Sequence, residues 1–329
     1  MKAFVLAAGL GTRLRPLSLE RPKPAWPLFD VPLAAHVLHA LVAAGADDVV
    51  VNLHHLPGVM RGVLAPWVPA GVRVRWSLEE QILGTGGALG PWRRHLTSGP
   101  FFLANADTYQ ELDLADLAGY HRRHGALATL LLRPLAPGVD GPIEVDDTGR
   151  IVRFLARRAP GTRPGRTCEF CGVHLLEPEV LESLPDGPCC INADVHAALV
   201  ARGAPLCGYL APEGGFWSDL GTPQRYLGAH AELLALNRVP TLAPGRVVSG
   251  AEHDLGEGIT VLGPSYLGPG ARVEAGAVIG QSAVLGRGAV AEERSRVARS
   301  VLWEGARAAA GETVSGQVRS ASGKTVGPD

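Results

Sequence analysis

The order of apolar and polar positions before residue 238 predicts alternating strands and helices. Short apolar runs bounded by polar residues or glycine predict buried strands, and they read KAFVLAA, DDVVVNL, VRVRWSL, PFFLANA and ALATLLLRP. Between the first two, LAAHVLHALVAAG has a helical distribution of apolar residues and predicts a helix that ends at Gly45. Because strands that alternate with helices build parallel sheets, we expect an α/β, Rossmann-like domain whose mixed, mainly parallel sheet has helices on both faces.

A six-residue repeat begins near Ile259 and replaces the helical pattern. An apolar residue recurs at every sixth position, namely Val261, Leu267, Val273, Ile279, Leu285, Ala291, Val297, Trp303 and Ala309. A small residue stands four positions after each of the first six, namely Ser265, Ala271, Ala277, Ala283, Ala289 and Ser295. This period is typical of a parallel β-helix with an aliphatic interior. We expect an α/β domain over residues 1–237, a connection over 238–258 and a left-handed parallel β-helix over 259–329.

Composition excludes several classes of partner. The chain has 329 residues, of which 46% are hydrophobic, so it is long enough for one large core or two ordinary ones. Its 31 basic and 32 acidic residues nearly cancel, which argues against nucleic acid as a partner and requires any anion site to be local. No apolar run reaches the length of a membrane span, and MKAFVLAAG is too short for a signal-peptide core. We expect a cytoplasmic protein without a membrane partner.

The five cysteines do not have the pattern of a disulfide framework. Their number is odd, and they cluster between Cys168 and Cys207 in a large chain, so reduced thiols are expected. The spacing in CEFC is compatible with zinc, but the second pair, Cys189 and Cys190, is adjacent and no suitably spaced histidine completes a ligand set. The adjacent histidines His54 and His55 have no accompanying catalytic pattern and are assigned no role.

A glycine-rich, basic stretch, LAAGLGTRLRPLSLERPKP, follows the first predicted strand. A Walker loop is excluded, because Lys23 is followed by Pro24 and not by Ser or Thr. A dinucleotide-binding loop is weakly supported, since Leu14 stands where its third glycine is needed. The remaining interpretation is a loop whose backbone N–H groups at residues 9–12 approach a nucleotide, while Arg13 and Lys23 bring positive charge to its phosphates. Ligands of such sheets bind at the carboxyl ends of strands, which is where this stretch lies.

Five motifs in order resemble the sugar-1-phosphate nucleotidyltransferases, also called nucleoside-diphosphate-sugar pyrophosphorylases. They are LAAGLGTRLRPLSLERPKP, EEQILGTGGAL, FFLANADTY, EFCGVHLLEPEVL and FWSDLGTPQRY. The resemblance covers nearly the whole chain, because members of the mannose-1-phosphate guanylyltransferase branch also carry a C-terminal hexapeptide β-helix. It implies that residues 1–237 form a catalytic domain. It also implies attack by a sugar 1-phosphate on the α-phosphorus of a nucleoside triphosphate, most simply GTP with mannose 1-phosphate to give GDP-mannose and pyrophosphate.

This chemistry needs no protein nucleophile, since a phosphate dianion is itself nucleophilic, but it needs cations to hold two anions together. The resemblance implies Arg13 and Lys23 as the catalytic cations and Mg²⁺ as cofactor, bound by Asp107 and Asp219. It implies nucleotide contacts from Ala8, Gly9, Gly11, Thr12, Gly84, Thr85 and Gly86. It implies sugar-phosphate contacts from Asp107, Arg157, Gly172 and Asn192, with Glu80 as an acidic partner on the sugar side.

Two departures from the family pattern affect these expectations. Ala106 stands before Asp107 where glycine is usual, which can remove a close backbone approach. Ala156 and Arg157 replace the usual Glu-Lys pair, and Arg157 can bind a phosphate bidentately or belong to a solvated face.

Three alternatives to guanylyl transfer stay open. A hexapeptide acyltransferase would use a histidine on the β-helix as base, but no histidine follows His253. A regulatory subunit that binds nucleotide sugar without turnover would lack one of Arg13, Lys23, Asp107 or Asp219, all of which are present. Uridylyl or thymidylyl transfer to another sugar 1-phosphate would use the same motifs. The β-helix is expected to serve packing and homo-oligomer formation.

Overall fold

The computed structural model describes residues 1–111, 113–249, 255 and 257–328. Before residue 238 the strands are β1 Lys2–Leu6, β2 Pro27–Leu28, β3 Val31–Pro32, β4 Asp48–Leu53, β5 Arg73–Leu78, β6 Phe101–Asn105, β7 Thr108–Gln110, β8 Ala128–Pro134, β9 Ile143–Val145, β10 Ile151–Phe154, β11 Arg157–Arg158, β12 Arg166–Leu176, β13 Leu206–Leu210 and β14 Trp217–Asp219. The α-helices are α1 Leu33–Ala43, α2 Pro57–Leu64, α3 Gly84–Gly87, α4 Leu114–His124, α5 Ala197–Ala201 and α6 Pro223–Ala235. Short 3₁₀ helices cover Thr12–Leu14, Leu17–Leu19, Lys23–Ala25, Ala65–Trp67, Gly90–His95 and Pro178–Ser183, and a π-helix covers Ile191–His196.

The remaining strands are short and lie after residue 245. They are β15 Arg246–Val248, β16 Thr260–Val261, β17 Ser265–Leu267, β18 Arg272–Val273, β19 Val278–Ile279, β20 Val284–Leu285, β21 Val290–Ala291, β22 Arg296–Ala298, β23 Val301–Leu302, β24 Arg307–Ala308, β25 Thr313–Ser315, β26 Val318–Arg319 and β27 Thr325–Val326. The predicted connection, residues 238–258, contains β15 and falls partly outside the described residues. In the part of the chain that the structure describes, no helix is both long enough and apolar enough to cross a bilayer.

The chain forms two compact units, and the first consists of Met1–Gly9 and Val37–Trp217. Its sheet has the order β11-β10-β9-β12-β6-β1-β4-β5, with β8 paired to β12 and β13. Strands β6, β1, β4 and β5 are parallel, as is the pair β8 and β13, whereas β12 runs antiparallel to its neighbours. The predicted mixed α/β sheet is therefore confirmed, and all five predicted strands belong to it.

Strand register brings three loops of the first unit to one edge of the sheet. Leu6 of β1 pairs with Asn52 of β4 and with Asn105 of β6, and Asn52 pairs with Ser77 of β5. Parallel strands that end in register send their following loops out at the same edge. The segments after β1, β5 and β6, which carry Gly9, Gly84 and Asp107, therefore leave the sheet together.

Helix α1 forms where the apolar pattern predicts it. It begins at Leu33, and Gly45, with φ 92°, follows its last turn. The N–H of Gly45 donates to the Val42 carbonyl and that of Ala46 to the Leu41 carbonyl, which is the hydrogen-bonding pattern of a glycine-ended helix.

The second unit consists of Leu10–His36 and Ser218–Asp329 and contains the repeat. We call residues 260–326 the repeat coil. Its strands β16–β26 pair in parallel, each with the strand one turn further along, as in Val278 with Arg296 and Val284 with Val301, and β27 pairs antiparallel with β26. Ile279, Leu285 and Val297 are fully buried in its interior, which confirms the hexapeptide prediction for this part.

The six-residue period shortens by one after Val297. From β19 to β20 the chain advances six residues, but from β22 to β23 it advances five, so later interior positions are Leu302, Ala308 and Val314. The prediction that Trp303 and Ala309 continue the interior row is therefore wrong. Ala309 is exposed, and Trp303 is buried outside the coil against Trp26. A one-residue deletion moves each following side chain to the other face of its short strand.

Candidate active site

A buried polar network connects the end of β1 to Leu83, which directly precedes the glycine-rich loop Gly84–Gly87. The N–H of Ala7 donates to Asn52 Oδ1 at 2.6 Å, and Asn52 Nδ2 donates to Glu79 Oε1 at 2.7 Å. Glu79 Oε2 accepts from the N–H of Leu83 at 3.0 Å. Asn52 and Glu79 are 2% and 5% exposed, so their polar atoms depend on one another for hydrogen bonds. The network therefore fixes the backbone at Ala7 and at Leu83, directly before the predicted nucleotide residues Ala8 and Gly84.

Sequence reasoning missed Asn52 and Glu79. It selected Glu80 as the acidic residue of this loop, and Glu80 is exposed. The available signal was a lone asparagine at the end of the apolar run VVVNL, where a polar residue inside a sheet needs a partner.

Glycines are required in the loop Gly84–Gly87 because it packs directly against Cys189. A Cβ on Gly84 would lie 2.5 Å from the Cys189 carbonyl oxygen, and one on Gly86 would lie 2.7 Å from Cys189 Sγ. The N–H groups of Gly86 and Gly87 donate to the same carbonyl at 2.9 and 3.2 Å. The N–H of Gly86 is thus engaged within the protein, and any contribution of Gly86 to nucleotide binding depends on its lack of a side chain.

Thr85 ties this loop to the predicted sugar residue Asn192. Its Oγ1 accepts from the N–H of Ile191 at 3.0 Å. Asn192 follows in the first turn of the π-helix, and its Oδ1 is buried without a hydrogen-bond partner among the described residues. A buried acceptor of this kind is costly unless a donor reaches it.

In the first unit Gly172 packs against the turn that carries Asp107. Ala106 is fully buried, its N–H donates to the Leu6 carbonyl at 3.0 Å, and the half-buried Asp107 follows it. Gly172 has φ 91°, and a Cβ there would lie 3.0 Å from Thr108 Oγ1. Gly172 is therefore needed both for its backbone conformation and for close approach to the turn that carries Asp107.

Arg157 lies on the outermost strand of the sheet and is exposed. Register runs from Arg157 to Phe154, then to Ile143 and to Cys168 of β12. Three strand spacings place Arg157 about 14 Å from β12, the strand of Gly172. The neighbouring Arg158 instead donates to Glu144 at 2.7 Å.

In the second unit a carboxylate lies between two cations. Lys23, which is 5% exposed, donates from Nζ to Asp219 Oδ1 at 3.1 Å. Arg225 donates from Nη1 to Asp219 Oδ2 at 2.9 Å. Lys23 is held by the 3₁₀ helix Lys23–Ala25, and Arg225 lies in the first turn of α6, whose N-cap Thr222 accepts from the Arg225 N–H at 3.2 Å.

The Arg13 side chain also belongs to this group, because it lies beside Gly221 next to Asp219. A Cβ on Gly221 would lie 2.9 Å from Asp219 Oδ1 and 3.1 Å from Arg13 Nη2, so only glycine leaves room for both side chains. Arg13 is exposed on the 3₁₀ helix Thr12–Leu14, whose N-cap Gly11 has φ 59°. Arg13, Lys23 and Arg225 carry three positive charges against the one of Asp219, and this excess suits a polyphosphate. Sequence reasoning found three of the four and missed Arg225.

The predicted metal carboxylates belong to different units, Asp107 to the first and Asp219 to the second. Within residues 1–111, 113–249, 255 and 257–328, no three His, Cys, Asp or Glu side chains cluster as a ready-made metal site. Asp219 Oδ1 accepts from Lys23 and Oδ2 from Arg225, and each carboxylate oxygen has a second lone pair, so Asp219 fits a hard cation that substrate phosphates also bind.

The CEFC thiols lack the further ligands that a zinc site needs. Burial raises the pKa of Cys168 to about 11 and that of Cys171 to about 12. Among the described residues no third His, Cys, Asp or Glu side chain completes a ligand set with them, so the structure gives the zinc alternative no support.

Comparison with known proteins gives concordant matches. Residues 2–235 match the protein family described as Nucleotidyl transferase. The chain is 34% identical over 262 residues to "Probable mannose-1-phosphate guanylyltransferase 1" of Oryza sativa subsp. japonica, covering 78% of this chain and 70% of the relative. It is 30% identical over 283 residues to "Mannose-1-phosphate guanylyltransferase" of Mycobacterium tuberculosis, covering 82% and 76%. HddC from Yersinia pseudotuberculosis has the same fold over 69% of this chain and 97% of its own, with a TM-score of 0.56 at 20% identity.

Proposed function

Because the chain belongs to the nucleotidyl transferase family, we propose that it transfers a guanylyl group from GTP to mannose 1-phosphate, giving GDP-mannose and pyrophosphate. The observation that carries the proposal is the group of Arg13, Lys23 and Arg225 around Asp219, which has the excess positive charge that a triphosphate needs. The names of the rice and mycobacterial relatives support guanine as the base and mannose as the sugar.

In the proposed reaction an oxygen of the sugar phosphate attacks the α-phosphorus of GTP. The bond from that phosphorus to the β-bridging oxygen breaks, and its electron pair leaves with pyrophosphate. Lys23 would stabilise negative charge at the α-phosphorus, and Arg13 would hold the β- and γ-phosphates. Preorganised cations favour this transition state because they need no reorganisation as charge develops.

Asp107 and Asp219 are the residues we propose for Mg²⁺. A bound Mg²⁺ would neutralise phosphate charge and orient the triphosphate. In this proposal Asp107 would supply one carboxylate, from the turn after β6, and Asp219 the other, from β14. Arg225 would compensate part of the Asp219 charge.

The nucleotide and sugar contacts are proposals of the same kind. Ala8, Gly9, Gly11, Thr12, Gly84, Thr85 and Gly86 would line the nucleotide. Asn192 is supported as a sugar contact by its buried Oδ1, which would accept from a sugar hydroxyl. Gly172 would permit close approach of the sugar, whereas Arg157 would serve only if the phosphate reaches the edge strand. Residues 1–237 would form the catalytic domain, and homo-oligomers through residues 259–329 stay a prediction.

A pyrophosphate-release assay with intact protein tests this proposal. GTP, ATP, UTP and dTTP are each combined with mannose, glucose and N-acetylglucosamine 1-phosphates in the presence of Mg²⁺. The proposal predicts the highest kcat/KM for GTP with mannose 1-phosphate. A preference for UTP or dTTP would replace it by uridylyl or thymidylyl transfer, and no release with any pair would favour a regulatory subunit.

A further inference from the structure

A segment that surrounds Lys23 is bound at both ends to the repeat coil. We call residues 20–30 the lysine segment. At its start, Glu20 accepts from Ser322 Oγ at 2.5 Å and pairs with Lys324 Nζ at 2.9 Å. The guanidinium of Arg21 lies 5.4 Å from the Trp303 ring centroid, within cation–π distance.

The centre of the lysine segment is fixed by an aromatic cluster. Trp26 is fully buried, with its ring centroid 4.9 Å from that of Trp303 and 5.1 Å from that of Tyr226, both edge-to-face. Its indole N–H donates to the Arg21 carbonyl at 3.0 Å, and that of Trp303 donates to Tyr226 Oη at 3.2 Å. Such contacts define one orientation of a large side chain, so Trp303 restricts where Trp26 lies.

The end of the lysine segment inserts a carboxylate into the coil. Asp30 Oδ1 accepts from the N–H of Arg287 at 2.8 Å, and Asp30 Oδ2 accepts from Tyr266 Oη at 3.2 Å. A Cβ on Gly268 would overlap Asp30 Oδ2, and one on Gly286 would lie 2.9 Å from Oδ1. The coil thus has glycine at both positions where a side chain would clash with the Asp30 carboxylate. The Asp30 contact therefore depends on the sequence of the coil.

Lys23 is connected to Trp26 by a single turn of 3₁₀ helix. The N–H of Trp26 donates to the Lys23 carbonyl at 2.9 Å, and only Pro24 and Ala25 lie between the two residues. A shift of the Trp26 ring is therefore transmitted to the Lys23 backbone, and Lys23 Nζ would leave its place beside Asp219. Displacement of a catalytic group by about 1 Å can lower a rate about 100-fold.

We propose that the repeat coil positions Lys23 for catalysis, with Trp303 as the positioning residue and Asp30 as the second anchor. This goes beyond a packing or oligomer role for the coil, and it rests on the proposed nucleotidyl transfer. The coil would then contribute to the active site indirectly, because its contacts with the lysine segment determine the position of the Lys23 ammonium group.

A double-mutant cycle on kcat tests the proposal. Trp303→Ala is expected to lower kcat for pyrophosphate release at least 10-fold with little change in the KM for GTP, and Trp303→Phe is expected to recover most of that loss. In a Lys23→Ala background, Trp303→Ala should change kcat less than 2-fold, because the group it positions is gone. Arg307→Ala, which removes an exposed ion pair with Glu292 on the same coil, is the matched control and should keep wild-type kcat.

The same loss in both backgrounds would overturn the proposal, since it would show a structural effect independent of Lys23. Wild-type kcat in folded Trp303→Ala would overturn it as well. If Trp303→Ala does not fold, Asp30→Ala carries the test with the same expected pattern, because it removes the second anchor without an indole-sized cavity. An inactive wild-type protein would instead contradict the proposed function, so the two failures are distinguishable.

Discussion

Lys23 Nζ lies 3.1 Å from Asp219 Oδ1, although the two residues are 196 positions apart in the chain. The lysine side chain is 7% exposed and the aspartate side chain 30%, so the pair is open to solvent only from the aspartate side. A buried lysine is stabilised by a nearby carboxylate, and a carboxylate that faces outward can still bind a cation on its free side. Asp219 thus pairs with Lys23 and keeps part of its carboxylate open to solvent.

Replacing Asp219 tests its double role. We expect Asp219→Asn to lower kcat about 100-fold or more and to raise the Mg²⁺ concentration needed for half-maximal rate, because one metal carboxylate and the partner of Lys23 are lost together. Steady-state pyrophosphate release over a Mg²⁺ titration measures both effects. Asp186→Asn is the matched control, since that side chain is fully exposed. A wild-type Mg²⁺ dependence would remove Asp219 from the metal site.

Arg13 should act mainly in binding the triphosphate. We expect Arg13→Ala to raise the KM for GTP by roughly 10- to 100-fold, the value of a charge-assisted hydrogen bond to phosphate, with a smaller change in the KM for mannose 1-phosphate. Arg15→Ala, an exposed arginine two residues away, is the control. Equal changes in both KM values would place Arg13 outside the triphosphate site.

Alanine substitutions at Gly86 and Gly9 should distinguish a glycine that the fold requires from a glycine that nucleotide binding requires. A Cβ on Gly86 would lie 2.7 Å from Cys189 Sγ, so Gly86→Ala should destabilise the protein by about 1–3 kcal/mol. A Cβ on Gly9 would meet no atom within 4 Å, so Gly9→Ala should leave stability within about 0.5 kcal/mol and raise the KM for GTP.

The control for both glycine variants is Gly62→Ala in α2. A Cβ on Gly62 would meet no atom within 4 Å, so this variant should be more stable by about 0.5–1 kcal/mol, because alanine has the higher helix propensity. Urea unfolding measures the stabilities. An unchanged KM in Gly9→Ala would contradict close approach of the nucleotide at this backbone position.

Buried histidines should make the protein sensitive to acid. Burial lowers the pKa of His196 to about 3, and its ring nitrogen lies 3.2 Å from that of His174, whose pKa burial also lowers. A lowered native pKa means that the unfolded chain binds more protons, so stability is complete above about pH 6.5 and decreases as pH falls toward 3. From pH 7 to pH 5, the loss due to His196 alone should be about 2 kcal/mol.

Urea unfolding at pH 7 and pH 5 measures this loss. We expect the difference between the two pH values to shrink by about 2 kcal/mol in His196→Gln, which has no group to titrate at this position. An equal pH dependence in His196→Gln would show that other groups cause the acid sensitivity.

Much of the fold follows from local pattern, because buried strands and a coil interior need apolar residues at fixed periods. The strands from KAFVLAA to ALATLLLRP and the interior positions up to Val297 were predictable for that reason. The shortened corner after Val297 was not, since a one-residue deletion leaves small and aliphatic residues such as Ser300 and Leu302 in the sequence and changes only which of them face inward.

The candidate site was predictable where a motif has a distinctive spacing and not where partners are distant in sequence. Lys23 and Asp219 belong to separate motifs, and their ion pair follows only from the fold. Arg225 looks like an ordinary arginine near a helix start until Asp219 is placed beside it. Asn52 and Glu79 are single polar residues whose pairing depends on strand register, which the sequence pattern leaves open.

The fate of labelled phosphate tests the central claim most directly. Intact protein is incubated with mannose 1-phosphate, Mg²⁺ and GTP that carries ³²P at either the α- or the γ-position, and the products are separated. The account predicts that α-label appears in GDP-mannose and γ-label in pyrophosphate, with both reduced at least 100-fold in Asp219→Asn. Label from the γ-position in a sugar product, or no nucleotide sugar at all, would contradict nucleotidyl transfer.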